Sequence, residues 1–403
     1  MSKLLSIYKN AYSGLTPASW WLSLVMLINR SGTMVIPFMS LYLTKSLGYS
    51  LSHAGIVMAL FGVGAICGGY LGGRLSDKFG FYYIQLIALA GGGVLFIILG
   101  QMKSFPLICT FTFLLSLVND AFRPANSIAI AQYSNEENRT RSFSLNRLSI
   151  NLGWAAGGSL GGFIASRNYE LLFWVDGITN IGAAILLLNV LSPSRNIQTP
   201  KKHEPVIRDK SQSASKDKHY LVFIVLNTVF AYCFFQLFTT IPVFYKDDLK
   251  LNEQFIGIVM ALNGVLIALF DRGTVHRLEG KRNELSYIST GVFIVALSFL
   301  VFNVLPGTAV LAIFAMLLCT VGEILSMPFM NTFWIGRSND NNRGQYAALY
   351  TISWSIAQVL GPGTGAQIAD HYGFNVLWWI ISGLLILSVF GYKLLQRAIK
   401  NQE

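Results

Sequence analysis

Gly55-Ile56-Val57-Met58-Ala59-Leu60 returns letter for letter as Gly257-Ile258-Val259-Met260-Ala261-Leu262, and Gly62-Val63 returns one residue farther on as Gly264-Val265. Downstream, Gly73, Asp77 and Gly80 keep the spacing of Gly273, Arg277 and Gly280, so in both copies an apolar segment runs into a charged turn punctuated by glycine. More matches share an offset of 204: Pro124 with Pro328, Asn138-Arg139 with Asn342-Arg343, Gly157 with Gly361, Gly161 with Gly365, and Trp174 with Trp378. Matches at one offset this far apart read as a duplicated unit.

The unit belongs in a membrane. Of 403 residues, 53% are hydrophobic and 12% charged, with mean hydropathy +0.52, too apolar for a domain with a solvated surface. The net charge of +11 could suggest nucleic acid. Most of the basic residues lie in short connectors between apolar runs, however, where membrane topology accounts for them and nucleic acid is not needed. Cys67, Cys109, Cys233 and Cys319 sit singly in apolar runs without a CxxC or His pairing, so neither a metal site nor a disulfide framework is expected. The first apolar run continues from near Ala18 to Leu43, longer than a signal core, and is expected to stay as an anchor.

A spanning helix needs about 20 apolar residues. Twelve runs meet that length, near 18–43, 52–75, 82–101, 105–133, 142–166, 170–192, 219–245, 253–275, 284–305, 309–334, 344–369 and 375–396. A segment rich in Lys, Ser and Pro separates the sixes. The expected domains are therefore 1–192, a linker at 193–218, and 219–403. With both termini cytoplasmic, twenty-one of the thirty Lys and Arg fall on the cytoplasmic side and five (Lys45, Lys103, Arg167, Lys246, Lys250) on the other. An even number of helices per half gives the copies one orientation, related by a pseudo-twofold axis along the membrane normal, with substrate expected where the halves meet. The fold class is thus all-α, twelve transmembrane helices in two six-helix bundles.

Gly73-Arg74-Leu75-Ser76-Asp77-Lys78-Phe79-Gly80 resembles the loop between helices 2 and 3 of the major facilitator superfamily of secondary transporters, in which a glycine is followed by three residues, an acid, a base, any residue and a glycine. Phe81-Tyr82 stand where that loop usually carries further basic residues, and the second copy has Arg277 at the acid position while keeping Gly280-Lys281-Arg282. The resemblance covers the chain apart from linker and tails. It implies a conformational latch at Gly73, Asp77, Lys78 and Gly80, in which Asp77 could accept hydrogen bonds at a neighbouring helix N-terminus; a solvated turn would show the same residues. Gly64, Gly68 and Gly72, and likewise Gly153, Gly157 and Gly161, recur every fourth residue and allow close helix approach. The second stripe, Gly157-Gly158-Ser159-Leu160-Gly161-Gly162, is similar to the helix 5 motif of antiporters in that superfamily, with Gly158 where proline is usual.

Charge inside the membrane marks the site. An ionisable group at mid-bilayer costs about 2.5–3.5 kcal/mol on insertion scales, so it is paired or faces water. Arg30, Asp120, Arg123 and Glu323 lie near the centres of their runs. Asp120 and Arg123, three apart on one face, could neutralise each other; Arg30 has no local partner. Asn119, Arg123 and Asn126 on one run, Thr228, Tyr232, Gln236 and Thr240 on another, and Glu323, Met327, Asn331 and Trp334 on a third form polar stripes, to which Asn151, Asn263, Trp354 and Gln358 could add walls. Such stripes should face inward, either as interhelical glue or as substrate contacts. Asp176, near the outer end of its run, is explained by snorkelling or a gate ion pair. For Asp271-Arg272, an early helix end would let the charges reach water.

No nucleotide-binding glycine pattern is present, so a transporter of this kind would use an ion or substrate gradient, with protons and a small molecule as partners, no cofactor or metal, and no enzymatic activity. The expected substrate-binding set is Arg30, Arg123, Asn119, Tyr232, Gln236, Glu323, Asn331 and Trp354. Glu323, and second Asp120, are the expected proton carriers, because a carboxylate in a low-dielectric site can titrate near working pH. The basic residues in runs 1 and 4 and the glutamate in run 10 resemble proton-coupled peptide transporters, which implies a carboxylate-bearing or zwitterionic solute. Export of lipophilic drugs by proton antiport is the alternative. A monomer in a bacterial inner membrane is the expected setting.

Overall fold

The computed structural model describes residues 14–191 except 136, and 213–401 except 279, 340 and 341. Every element among them is helical. In chain order they are α1 (Pro17–Ser31), α2 (Val35–Leu41, continued by a π turn at Tyr42–Ser46), α3 (Leu51–Phe79), α4 (Phe81–Gln101), α5 (Phe105–Asp120), α6 (Phe122–Tyr133), α7 (Arg139–Ala165) and α8 (Glu170–Val190). After the linker come α9 (Lys218–Phe234), α10 (Thr240–Asp247), α11 (Glu253–Leu278), α12 (Glu284–Val304), α13 (Ala309–Arg337), α14 (Arg343–Tyr372) and α15 (Phe374–Lys400). Most of the expected linker lies outside the described residues.

By length and composition, 10 spans among the described residues can cross a membrane. The expected runs at 142–166 and 344–369 are also long helices, α7 and α14, but their glycine and serine content, with asparagine in α7 and glutamine in α14, lowers their hydropathy.

Three of the twelve runs are two helices rather than one. Run 1 breaks between Ser31 and Val35, run 4 at Ala121, and run 7 through a 3₁₀ turn at Phe235–Phe238. A proline follows each break: Pro37, Pro124 and Pro242. Its ring removes a donor and crowds the carbonyl four residues back, here Thr33, Asp120 and Phe238, which is where the helices part. Pro328 lies inside the unbroken α13, so proline alone does not decide the outcome.

Contacts divide the chain into two units: the described parts of Met1–Phe38 and Leu60–Ile197 form one, and those of Met39–Ala59 and Gln198–Glu403 the other. The first unit is built on close backbone approach. A Cβ on Gly64 or Gly68 would lie 2.5 Å from the Phe113 carbonyl oxygen or 2.3 Å from that of Leu117, so side chains at these positions would force α3 off α5. The second stripe does the same for α7 against α1, where Gly153 and Gly157 meet the backbone of Arg30 and Ser31. A core of Leu22, Met26, Leu89, Phe122 and Leu187 fills the space between α1, α4, α6 and α8.

The second unit relies on aromatic packing. Trp378 of α15 is fully buried among Phe244, Phe299, Phe302 and Phe374, with ring centroids 5.2–5.9 Å apart. Residues 39–59 join this unit by identifiable bonds: Lys45 pairs with Asp247, Ser52 Oγ donates to Asp370 at 2.6 Å, and Gly55 lies against Pro362 and Ala366.

Both units tie down the start of their first helix in one way. Thr16 caps α1, and its hydroxyl also donates to the Tyr133 carbonyl at 2.8 Å. Asp217 caps α9 by accepting from the Tyr220 amide, and it takes two further bonds from Arg337 and one from the Tyr346 hydroxyl, all at 2.9 Å. Burial pushes the Asp217 carboxyl up, but these four donors outweigh it and hold it below the usual carboxylate range. A cavity of about 440 Å³ opens beside it, lined by Lys216, Arg337, Asn339, Asn342 and Tyr346. The duplicated Asn-Arg pair supplies this scaffold: Asn138 and Asn342 each accept, at 2.8 Å, from the amide of the residue three positions back.

Candidate functional site

In the first unit, the break at Ala121 sets the geometry of the charges. Asp120 ends α5 and is 3% exposed, and Arg123 opens α6 and reaches back, its Nε 2.8 Å from Asp120 Oδ1. Asp120 Oδ2 also accepts from Ser116 Oγ at 3.1 Å. The Arg123 side chain is 57% exposed, so it spans from a buried carboxylate to an open surface. Arg30, at the end of α1, is buried at 6% exposure with its Cβ pressed against Gly153, within electrostatic reach of both Arg123 and Asp120. Two cations and one anion leave this cluster with a surplus positive charge. Asn119 is buried beside it, and its Oδ1 accepts no hydrogen bond from the described residues. Asn126 lies elsewhere, bridging Gln85 at 3.1 Å and Asn146 at 3.2 Å as a tie between helices.

In the second unit, Glu323 of α13 is 4% exposed. Its Oε1 accepts from Asn263 Nδ2 at 3.0 Å and from the Cys319 thiol at 3.4 Å, and Asn263 also donates to Thr320 at 3.1 Å. Among the described residues no cation lies within ion-pair distance of Glu323, and the charge of Asp271, of the same sign, acts on it. α11 continues through Asp271 to Leu278, so the expected early helix end is absent and Asp271 sits within a helix.

The remaining expected site residues divide. Trp354 stands in an aromatic group with Phe230, Phe234, Phe235 and Tyr350, at centroid distances of 5.9–6.4 Å. Tyr232 is half-buried, its hydroxyl 2.8 Å from that of Thr364. Asn331 is exposed and accepts from Trp334 Nε1 at 3.3 Å. Gln236 is fully buried at the break of run 7: its Nε2 donates to the Gly361 carbonyl at 2.8 Å and its Oε1 accepts from Thr240 at 2.9 Å. These bonds leave it spanning the break and closed to solvent. In the expected latch, Gly80 adopts a φ of +88°, which favours glycine. Asp77 is exposed near the end of α3 and accepts no hydrogen bond from the described residues, while Lys78 lies over the Phe79 ring.

One buried carboxylate escapes the sequence reading. Asp176 of α8 is fully buried, so neither snorkelling nor a gate ion pair describes it. Its oxygens accept from the backbone amides of Met34 and Val35 at 3.0 and 2.7 Å. The signal available in the sequence was a carboxylate in an apolar run opposite a run holding Gly32 and Pro37, which frees backbone donors.

The major facilitator superfamily model matches residues 21–362. The chain belongs to this family of membrane transporters. Curated relatives include a Na(+), Li(+), K(+)/H(+) antiporter of Planococcus maritimus, 23% identical over 91% of this chain and 92% of that one. They also include the quinolone resistance protein NorA of Staphylococcus aureus, 24% identical over 67% and 69%. The fold is shared with a POT family transporter solved with 5-aminolevulinic acid, at TM-score 0.79 and 13% identity, covering 94% of this chain and 96% of that one. The family places the protein in the membrane as a multi-pass transporter, not an enzyme.

Proposed function

We propose that this facilitator-superfamily transporter is driven by protons and carries a small carboxylate-bearing or zwitterionic solute. The contrast between its buried carboxylates carries the reading. Among the described residues, Glu323 is held by neutral donors, an amide and a thiol. Ionised, it would bear the full cost of a buried charge; protonated, it keeps its acceptor role and loses that cost. It is therefore assigned the proton, with Asp120 second because Arg123 already compensates it. Arg30 and Arg123, in surplus over Asp120, would receive the solute carboxylate, Arg by its planar fork. Asn119, with its unfilled acceptor, and Tyr232, Asn331 and Trp354 would contact the rest of the solute, whereas Gln236, bonded on both sides of its helix break, is a weaker candidate. Twelve crossings in two six-helix bundles, 1–192 and 219–403, joined by 193–218, with both termini cytoplasmic and a latch at Gly73, Asp77, Lys78 and Gly80, complete the proposal.

A second reading, export of lipophilic compounds by proton antiport, is favoured by the aromatic group around Trp354 and by the similarity to NorA. One experiment separates the two. In proteoliposomes under a pH gradient, the first predicts accumulation of members of a dipeptide panel, with Arg30→Gln and Arg123→Gln each raising KM about tenfold or more and methyl esters of the same dipeptides indifferent to the substitutions. Transport of a quinolone or a lipophilic cation, unaffected by those substitutions and without dipeptide movement, overturns the first reading in favour of the second.

A further inference from the structure

The break in run 1 is held open from two sides, and the residues that hold it surround the backbone that carries Arg30. From α8, Asp176 accepts the amides of Met34 and Val35 at 3.0 and 2.7 Å, one on each oxygen. These are donors that a helix start leaves without an intrahelical partner. One turn on, Asn180 Nδ2 donates to the Gly32 carbonyl at 3.2 Å, and its Oδ1 accepts from Asn29 Nδ2 at 2.7 Å. Gly32 itself leaves no room: a Cβ there would lie 1.8 Å from Thr179 Oγ1. From α7, Gly153 and Gly157 press on the Cβ of Arg30 and on its carbonyl oxygen. Thr33 closes the turn by donating its hydroxyl to that same carbonyl at 2.5 Å.

A fully buried carboxylate with two backbone donors and no cation among the described residues is a costly way to fill space, since a leucine or alanine would fill it without desolvation. Its worth lies in the geometry it fixes. We propose that Asp176 is a positioning residue: it clamps the first helix open at 32–34, and so sets the direction in which Arg30 leaves the end of α1. Asp176 itself touches no solute. Its effect on transport rests on the reading of Arg30 as a carboxylate site, whereas the clamp does not.

The test uses Asp176→Asn in the full-length protein in nanodiscs. Asparagine has the same size but one acceptor oxygen, so it can serve one amide and turns an N–H toward the other. Backbone hydrogen exchange at Met34 and Val35 is expected to rise about tenfold, with protection in α4 and α12 unchanged; mere packing predicts no change for this isosteric replacement. In proteoliposomes the same variant should raise KM for a transported dipeptide while kcat stays within about twofold. Unaltered exchange at both amides overturns the clamp. Faster exchange with KM unmoved supports the clamp and removes the carboxylate role of Arg30. Should the variant fail to fold, the unaltered protein decides: amides of Met34 and Val35 that exchange as fast as that of the exposed Ser50 exclude the clamp, and protection comparable to mid-α1 amides supports it.

Discussion

Asp120 and Glu323 are both buried carboxylates, on the fourth run of the first unit and the fourth run of the second, yet their surroundings assign them opposite behaviour. Asp120 meets a guanidinium at 2.8 Å and a serine hydroxyl; Glu323 meets an amide and a thiol, with the Asp271 charge acting against it. The guanidinium of Arg123 supplies Asp120 with a compensating charge, and among the described residues Glu323 has none. The repeat explains how they diverged. At the offset of 204, Glu323 stands opposite Asn119 and Arg123 opposite Met327, so the first unit has no counterpart of Glu323 and the second none of the arginine that pairs with Asp120.

Four experiments would break or sharpen this contrast, taken from the largest effect down. Glu323→Gln should remove proton-driven accumulation altogether. One coupled proton supports about a tenfold gradient per pH unit, since 1.4 kcal/mol is a factor of ten; the ratio should fall to about one while solute counterflow continues, and an undiminished ratio would take the proton away from Glu323. Met327→Arg gives Glu323 the kind of partner Asp120 has, one turn away on a half-buried position. It should hold Glu323 ionised and lower the accumulation ratio by about threefold or more; full coupling in this variant would show that a cation nearby does not decide protonation.

Asp120→Asn should do the reverse of what Glu323→Gln does. Accumulation under a pH gradient is expected to stay within about twofold, while the melting temperature drops by about 2–4 °C because Arg30 and Arg123 lose their common anion; loss of coupling would make Asp120 the carrier instead. The smallest effect belongs to Asp217, a carboxylate held by arginine at the helix start rather than in the membrane interior. Its folded pKa is depressed, so its stabilisation is present above the ordinary Asp value near 3.9 and is lost as pH falls through the lower folded value. Melting temperatures of the protein and of Asp217→Asn should differ by a constant small amount between pH 7 and 5, and the difference should shrink as pH falls below the ordinary Asp value; a difference that does not shrink at all below that value would contradict the assignment.

The second comparison that matters is between the two helix breaks. Runs 1 and 7 occupy corresponding places in the duplicated plan, and both part ahead of a proline. In run 7 the break is bridged by its own residue, Gln236, acting with Thr240 and the Gly361 carbonyl. In run 1 the bridging group is Asp176, more than a hundred residues away in sequence. The polar stripe from which Gln236 is expected as a solute contact also carries a helix joint, because a side chain that satisfies broken backbone and one that faces a wet cavity follow the same spacing along a run.

Composition, the repeat and the loop at Gly73–Gly80 were enough to determine the membrane setting, the helical class and the family, because each depends on local apolar length or on short-range pattern. The pairing of Asp120 with Arg123 was also legible, being three residues apart on one run. What the chain alone left open was the fate of groups whose partners come from other helices: Asn263 on Glu323, Arg337 on Asp217, and the amides of Met34 and Val35 on Asp176. A buried polar atom is stable only with a partner, and which partner reaches it depends on how helices distant in sequence approach one another. That approach is set by glycine stripes and proline breaks acting together, and only the tertiary structure decided it.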